Sequence, residues 1–147
     1  MTHSTKVPVS FWIISVVAIL WNLMGTAAWF MEYNYYTNPA SRSGLSEAMQ
    51  SIYDTQPIWL YVVFAVAVLT GLIGCIGLLL RKSWCDPVFL ISLIAVIILH
   101  GFNFFLAEFD YIKELGISAA VMPILVVLFA VFLVYYAKKN KALGILT

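Results

Sequence analysis

The chain has 147 residues, of which 63% are hydrophobic and only 10% charged, with a mean hydropathy of +0.98. A soluble domain of this length carries charge near 25%, so the composition argues against one. A net charge of +1 says nothing about an acidic partner, so the placement of the charges is the useful signal.

The charges cluster and leave long gaps. No charged residue lies between Lys6 and Glu32, between Asp54 and Arg81, between Asp86 and Glu108, or between Glu114 and Lys138. About 20 apolar residues as a helix cross the ~30 Å hydrocarbon core of a bilayer. Helices are expected because lipid cannot satisfy backbone polar groups and a helix satisfies its own. The alternating ten-residue segments of a membrane barrel are not visible. The expected fold is therefore all-α: one integral membrane domain over 1–147, a bundle of four transmembrane helices at about Val9–Met31, Ile58–Leu80, Pro87–Ala107 and Ala119–Ala137.

Helix 1 has too long an apolar run for a signal peptide, and Trp29-Phe30-Met31 is not a small-residue cleavage site. Asn22 is its polar residue. Ten residues separate Asn22 from Glu32, which sets it roughly 15 Å from that boundary, near the membrane midplane.

Between helices 1 and 2 lies the longest connection. Asn38-Pro39 and Ser43-Gly44 signal turns. Leu45, Met49, Ile52 and Tyr53 then follow at helical spacing, which predicts a short amphipathic helix with Ser43 or Ser46 as N-cap.

In helix 2, Ala67, Gly71 and Cys75 recur every four residues, with Gly74 beside them. Such small-residue spacing lets backbones approach closely, here either within the bundle or between protomers; a hinge is the alternative. Thr70 adds one hydroxyl. Cys75 and the loop residue Cys85 show no metal-ligand spacing.

Helix 3 carries Ser92, His100 and Asn103. His100 lies ten residues before Asp110, a depth that matches Asn22, and Asn103 lies one turn further on the same face. Asn22, His100 and Asn103 are thus the candidate substrate-binding residues. Polar groups inside a membrane are costly and mark function or interhelical bonding. In helix 4, Pro123 is read as part of the helix start. Phe11–Tyr33 also aligns without gaps on Phe89–Tyr111, pairing Asn22 with His100. That repeat would relate two helix hairpins by an axis along the membrane normal.

Lys6, Arg81, Lys82, Lys138, Lys139 and Lys141 fall on one side against Asp86 alone. Arg42 and Lys113 fall on the other, against Glu32, Glu47, Asp54, Glu108, Asp110 and Glu114. The positive-inside rule then predicts both termini in the cytoplasm. Trp29, Tyr33, Tyr35, Tyr36, Trp59, Tyr61 and Tyr111 would belt the outer interface, and Trp12, Trp84, Tyr135 and Tyr136 the inner one. The Lys138-Lys139-Asn140-Lys141 tail suits anionic lipid headgroups better than nucleic acid. His3 stands alone. There is no P-loop, GxGxxG, HExxH or GxSxG motif. The sequence therefore predicts a non-enzyme with no catalytic residue, no metal and no cofactor.

Phe11-Trp12-Ile13-Ile14, Trp21-Asn22-Leu23-Met24-Gly25, Tyr53-Asp54-Thr55-Gln56-Pro57-Ile58-Trp59 and Val121-Met122-Pro123-Ile124-Leu125-Val126-Val127 together resemble a group of small bacterial inner-membrane proteins described as sugar transporters. The resemblance runs over nearly the whole chain and implies a multi-pass protein of the bacterial cytoplasmic membrane that moves a small solute. It carries no site residue across. The chain departs from the three-helix sugar carriers with a Pro-Gln motif: Gln56-Pro57 is reversed and opens a helix. The expected function is a transporter, or a transporter subunit, for a small solute; the alternative is an accessory subunit of a larger membrane complex. Four short helices rarely enclose a solute path alone, so the partners expected are the lipid bilayer and either further copies of the chain or another membrane protein.

Overall fold

The computed structural model describes residues 6–106 and 116–147. Ala107, Glu108, Asp110, Tyr111, Lys113 and Glu114, and His3 at the N-terminus, lie outside that range. Among the described residues the structure is all-α, with five helices and no strand. The helices are α1 (Val9–Thr37), α2 (Glu47–Thr55), α3 (Ile58–Leu79), α4 (Cys85–Leu106) and α5 (Ser118–Ala142). A short 3₁₀ turn at Pro39–Arg42 joins α1 to α2. Four of the helices, α1, α3, α4 and α5, are long and apolar enough to cross a membrane, the pattern of a multi-pass membrane protein.

The exposed surface supports that pattern. On α3, Val62, Val66, Leu69, Ile73 and Ile76 are all exposed, one helical turn apart. Ile91, Ile94 and Ile98 repeat this on α4, and Val121, Ile124, Leu128, Val131 and Tyr135 on α5. Apolar stripes on the outside of a bundle suit lipid, whereas a monomer in water rarely exposes such a continuous surface.

Inward, the small residues of α3 decide how close the helices come. Ala67, Gly71, Gly74 and Cys75 are buried. A Cβ at Gly74 would stand 2.7 Å from the Phe89 ring of α4, and one at Gly77 2.7 Å from the Trp84 ring. At Gly71 it would collide with the Asn22 amide of α1. One face of α3 thus admits both α1 and α4. The most extensive interface joins α3 to α4, followed by α1–α3 and α4–α5. α1 and α5 meet through aromatic rings instead: Trp21 lies 5.0 Å from Phe129 and Phe11 stacks on Tyr136 at 6.2 Å. The two hairpins therefore do not pack symmetrically, as the suggested internal repeat would have it.

The end of the bundle that holds both termini is a dense core of Phe11, Cys75, Leu78, Cys85, Phe89, Leu133 and Ala137. The last residues close it. After α5 the chain turns at Gly144 (φ 69°), a left-handed conformation that glycine adopts without strain. Ile145 and Leu146 are then buried in the core. The Thr147 N–H donates to the Arg81 carbonyl at 2.8 Å, and the Ser83 N–H donates to the Thr147 carbonyl at 2.9 Å. The residues beyond the basic tail thus pack as part of the core.

Two boundaries differ from the sequence reading. α1 does not stop at Met31 but continues to Thr37. Aromatic packing extends it: Trp29 stacks on Tyr33 at 5.5 Å, Tyr36 lies 4.5 Å from Tyr61, and the Trp29 indole donates to the Tyr61 carbonyl at 2.9 Å. α5 starts at Ser118, one residue before the expected Ala119, but runs past Ala137 to Ala142, and Pro123 stands inside the helix. There the missing N–H removes a backbone bond that an ordinary residue would make.

Candidate functional site

The half of the bundle away from the termini is hollow. A cavity of ≈ 550 Å³ runs between α1, α3, α4 and α5 and is lined at one end by α2. Most of its wall is apolar, including Trp21, Phe64, Val96, Leu99, Val126 and Phe129. Asn22, His100 and Asn103 all line it, together with Ser92, Glu32, Tyr53, Gln56 and Tyr61.

These polar groups sit at three levels. Lowest are Asn22 and Ser92, which both come up against Gly71. The Asn22 amide donates to the Ala18 carbonyl at 2.9 Å and to Cys75 Sγ at 3.3 Å, and the Ser92 hydroxyl donates to the Ala67 carbonyl at 2.7 Å. Both side chains thus tie α1 and α4 to α3. In the middle are His100 and Asn103. His100 Nδ1 and Asn103 Oδ1 are buried and have no hydrogen-bond partner among the described residues. At the top, the Tyr53 hydroxyl donates to Glu32 Oε2 and the Tyr61 hydroxyl donates to Gln56 Oε1, each at 2.7 Å.

Asn22 and His100 share the cavity, but they do not stand opposite one another. Ser92 is the residue across from Asn22, and His100 lies eight residues along α4 from Ser92, roughly 12 Å nearer α2. The equal depth inferred from sequence took Glu32 as the end of helix 1. α1 runs on to Thr37, so Glu32 does not end the helix. No hydrogen bond joins the two side chains among the described residues.

The α2 cap is held by a compact set of contacts. Ser46 accepts from the Met49 N–H and caps the helix. Arg42 is only 5% exposed; its guanidinium donates to Asp54 Oδ1 at 2.7 Å and to the Gln50 carbonyl at 3.2 Å, and it lies 5.8 Å from the Tyr53 ring centre. Burial, and then the bond to Glu32, push the Tyr53 hydroxyl well above the usual tyrosine range. Tyr53 therefore remains a neutral donor to Glu32 at any physiological pH.

Glu32, Tyr53, Gln56, Tyr61 and Ser92 are cavity residues that the sequence reading did not place in the site. Ser92 was legible as a polar residue within a span. Glu32 counted in sequence only as an acid on the outer side, and the contact with Tyr53 of α2 is what brings it to the cavity. Thr70, by contrast, bonds the Val66 carbonyl of its own helix and takes no part in the cavity wall. His100 and Pro123 also line a smaller apolar pocket of ≈ 290 Å³ between α4 and α5. No group of His, Cys, Asp and Glu with the spacing of a metal site occurs among the described residues.

Comparison with protein-family models, with curated proteins and with solved structures finds no match to this chain.

Proposed function

We propose that this protein is a small-solute transporter, or the solute-binding subunit of one, in the bacterial cytoplasmic membrane. The observation that carries the reading is the cavity between the four long helices, whose mainly apolar wall carries Asn22, Ser92, His100 and Asn103. A mainly apolar hollow with a few convergent polar groups is the usual form of a small-molecule site. The resemblance in the Trp-Asn-Leu-Met-Gly and Val-Met-Pro-Ile-Leu-Val stretches favours the same class. Asn22 serves this site by positioning α1 on α3; His100 and Asn103 contact the guest.

The accessory-subunit reading rests on the packed half of the bundle. Phe11, Phe89, Leu133 and Leu146 close the cavity toward the termini, so a single chain offers no path from face to face. Either reading calls for further copies or a partner. Purification in mild detergent separates them. A homo-oligomer whose thermal unfolding rises with a bound solute supports transport. A second protein in fixed stoichiometry, with no such shift for any solute, supports the accessory role.

The excess of Lys and Arg beside the termini orients the chain with that end in the cytoplasm and α2 outside. A cysteine introduced at Ser43 is then expected to react with an impermeant maleimide in intact cells, and one at Lys82 only after permeabilisation. Both positions are exposed, while the native thiols Cys75 and Cys85 are buried and stay silent. The reverse pattern would invert the protein in the membrane.

A further inference from the structure

One carboxylate reaches the cavity. Glu32 lines it from α1, near the α2 end, and no Lys or Arg lines it among the described residues. No cation is paired with Glu32 among those residues either. Arg42 is committed to Asp54 and the Gln50 carbonyl, and Lys141 to Asp86. The one hydrogen bond to Glu32 comes from the Tyr53 hydroxyl and ends on Oε2. A carboxylate has room for about four. Oε1 accepts none among the described residues, yet it is not sealed in the protein as His100 Nδ1 and Asn103 Oδ1 are. It therefore keeps accessible surface.

An ionisable side chain inside a membrane bundle is costly and calls for a partner. Tyr53 donates one bond but brings no charge. An anionic guest would meet a like charge in apolar surroundings. A neutral guest, a sugar included, would leave the carboxylate without a counter-ion. An inorganic cation needs several oxygen ligands at short range, and no group of His, Cys, Asp and Glu that could hold one occurs among the described residues. An organic cation meets both demands, because its charge balances Glu32 and its body suits the rest of the wall. Trp21, Tyr53, Tyr61, Phe64, Phe89 and Phe129 all line the cavity, and Tyr53 and Tyr61 do so at the level of Glu32. Aromatic faces attract a desolvated cation and pack against alkyl and aryl groups. A volume of ≈ 550 Å³ accommodates a molecule of that kind.

We propose that the cavity takes a monovalent organic cation with an apolar body, its charge held by Glu32 and its body by the aromatic wall. This rests on the cavity being a solute site and names the class of solute. It replaces the sugar that the family resemblance implies.

Photolabelling in lipid nanodiscs tests it. Three probes share a benzophenone body and differ only in the head: a trimethylammonium, its uncharged tert-butyl isostere and a sulfonate. Labelled positions are mapped by mass spectrometry and scaled to labels at the lipid-facing Ile73 and Ile94, which report partition into the bilayer. The ammonium is expected to mark Tyr61, Phe64 and Phe129 about tenfold more than either other probe does, as a desolvated charge pair predicts. Glu32→Gln keeps an acceptor for Tyr53 and removes the charge. In that variant the ammonium's interior labels should fall to the level of the isostere, with the unfolding midpoint showing that the bundle is intact. If the variant does not fold, the three probes compared on the parent chain still decide. Interior labelling by the isostere or the sulfonate equal to that by the ammonium, or no loss in folded Glu32→Gln, would overturn the cation and keep the solute site. No interior labelling by any probe, with Ile73 and Ile94 marked, would overturn the solute site itself.

Discussion

Gly74→Val is expected to be among the most damaging single substitutions in the protein. The new Cβ would lie 2.7 Å from two carbons of the Phe89 ring, far inside contact distance. Phe89 is 2% exposed and belongs to the terminal core, so its ring gives way only by leaving that packing for the cavity it borders. Either that or a separation of the helices loosens the most extensive interface of the bundle. Overpacking of this kind costs about 1–3 kcal/mol. In lipid the loss is not offset by hydrophobic association, because the bilayer solvates the freed faces equally well. Gly101→Ala provides the matched control. It too adds a Cβ to a helical glycine, but nothing lies within 4 Å. Alanine there is expected to be neutral or to stabilise α4 by up to about 1 kcal/mol through helix propensity. Thermal or denaturant unfolding of both variants in one detergent measures the contrast. Equal behaviour of the two would mean that α3 and α4 do not meet at Gly74.

Phe11→Ala carries the second large effect. Phe11 is fully buried, packs edge-on to Trp12 at 5.5 Å and stacks on Tyr136. It belongs to the same core as Leu146 and Ile145, so truncation opens a hole where α1, α5 and the returning C-terminus converge. Phenylalanine-to-alanine changes at such sites cost about 3–5 kcal/mol. Ile13, two residues on, is 59% exposed toward lipid, and Ile13→Ala is expected to stay within about 0.5 kcal/mol. The measurement is again the unfolding midpoint, paired with protease sensitivity after Gly144. Early cleavage in Phe11→Ala, and not in Ile13→Ala, is the expected signature. If both variants unfold like the parent, the packed terminal end is not a core.

The four long apolar helices were legible from the sequence, because their signal is local: the bilayer thickness sets a run length, and the charges interrupt the chain at that spacing. The small-residue spacing on α3 was legible for a related reason, since a backbone that must be approached closely needs residues without bulk. The candidate polar residues could be named because each is costly in lipid. What they do could not be assigned from type and depth alone. Asn22 and His100 look equivalent in sequence, yet Asn22 donates to Ala18 and Cys75 while His100 retains a free buried nitrogen. Which partner a side chain finds depends on how neighbouring helices are rotated, and an almost uniformly apolar helix carries little amphipathic signal to record that rotation.

The sequence by itself determined the number of long helices, their approximate limits and the face on which α3 could be approached, because these follow from chain-local chemistry. Tertiary structure alone decided the rest. It carried α1 on to Thr37 through rings contributed by α3, turned Glu32 inward onto Tyr53, and folded Ile145 and Leu146 back into the core. It also left α1 and α5 touching through aromatic rings and buried His100 Nδ1 and Asn103 Oδ1 without a partner. Each of these is a contact between segments distant along the chain, whose free energy depends on the fit of two surfaces and so is not a property of either segment alone.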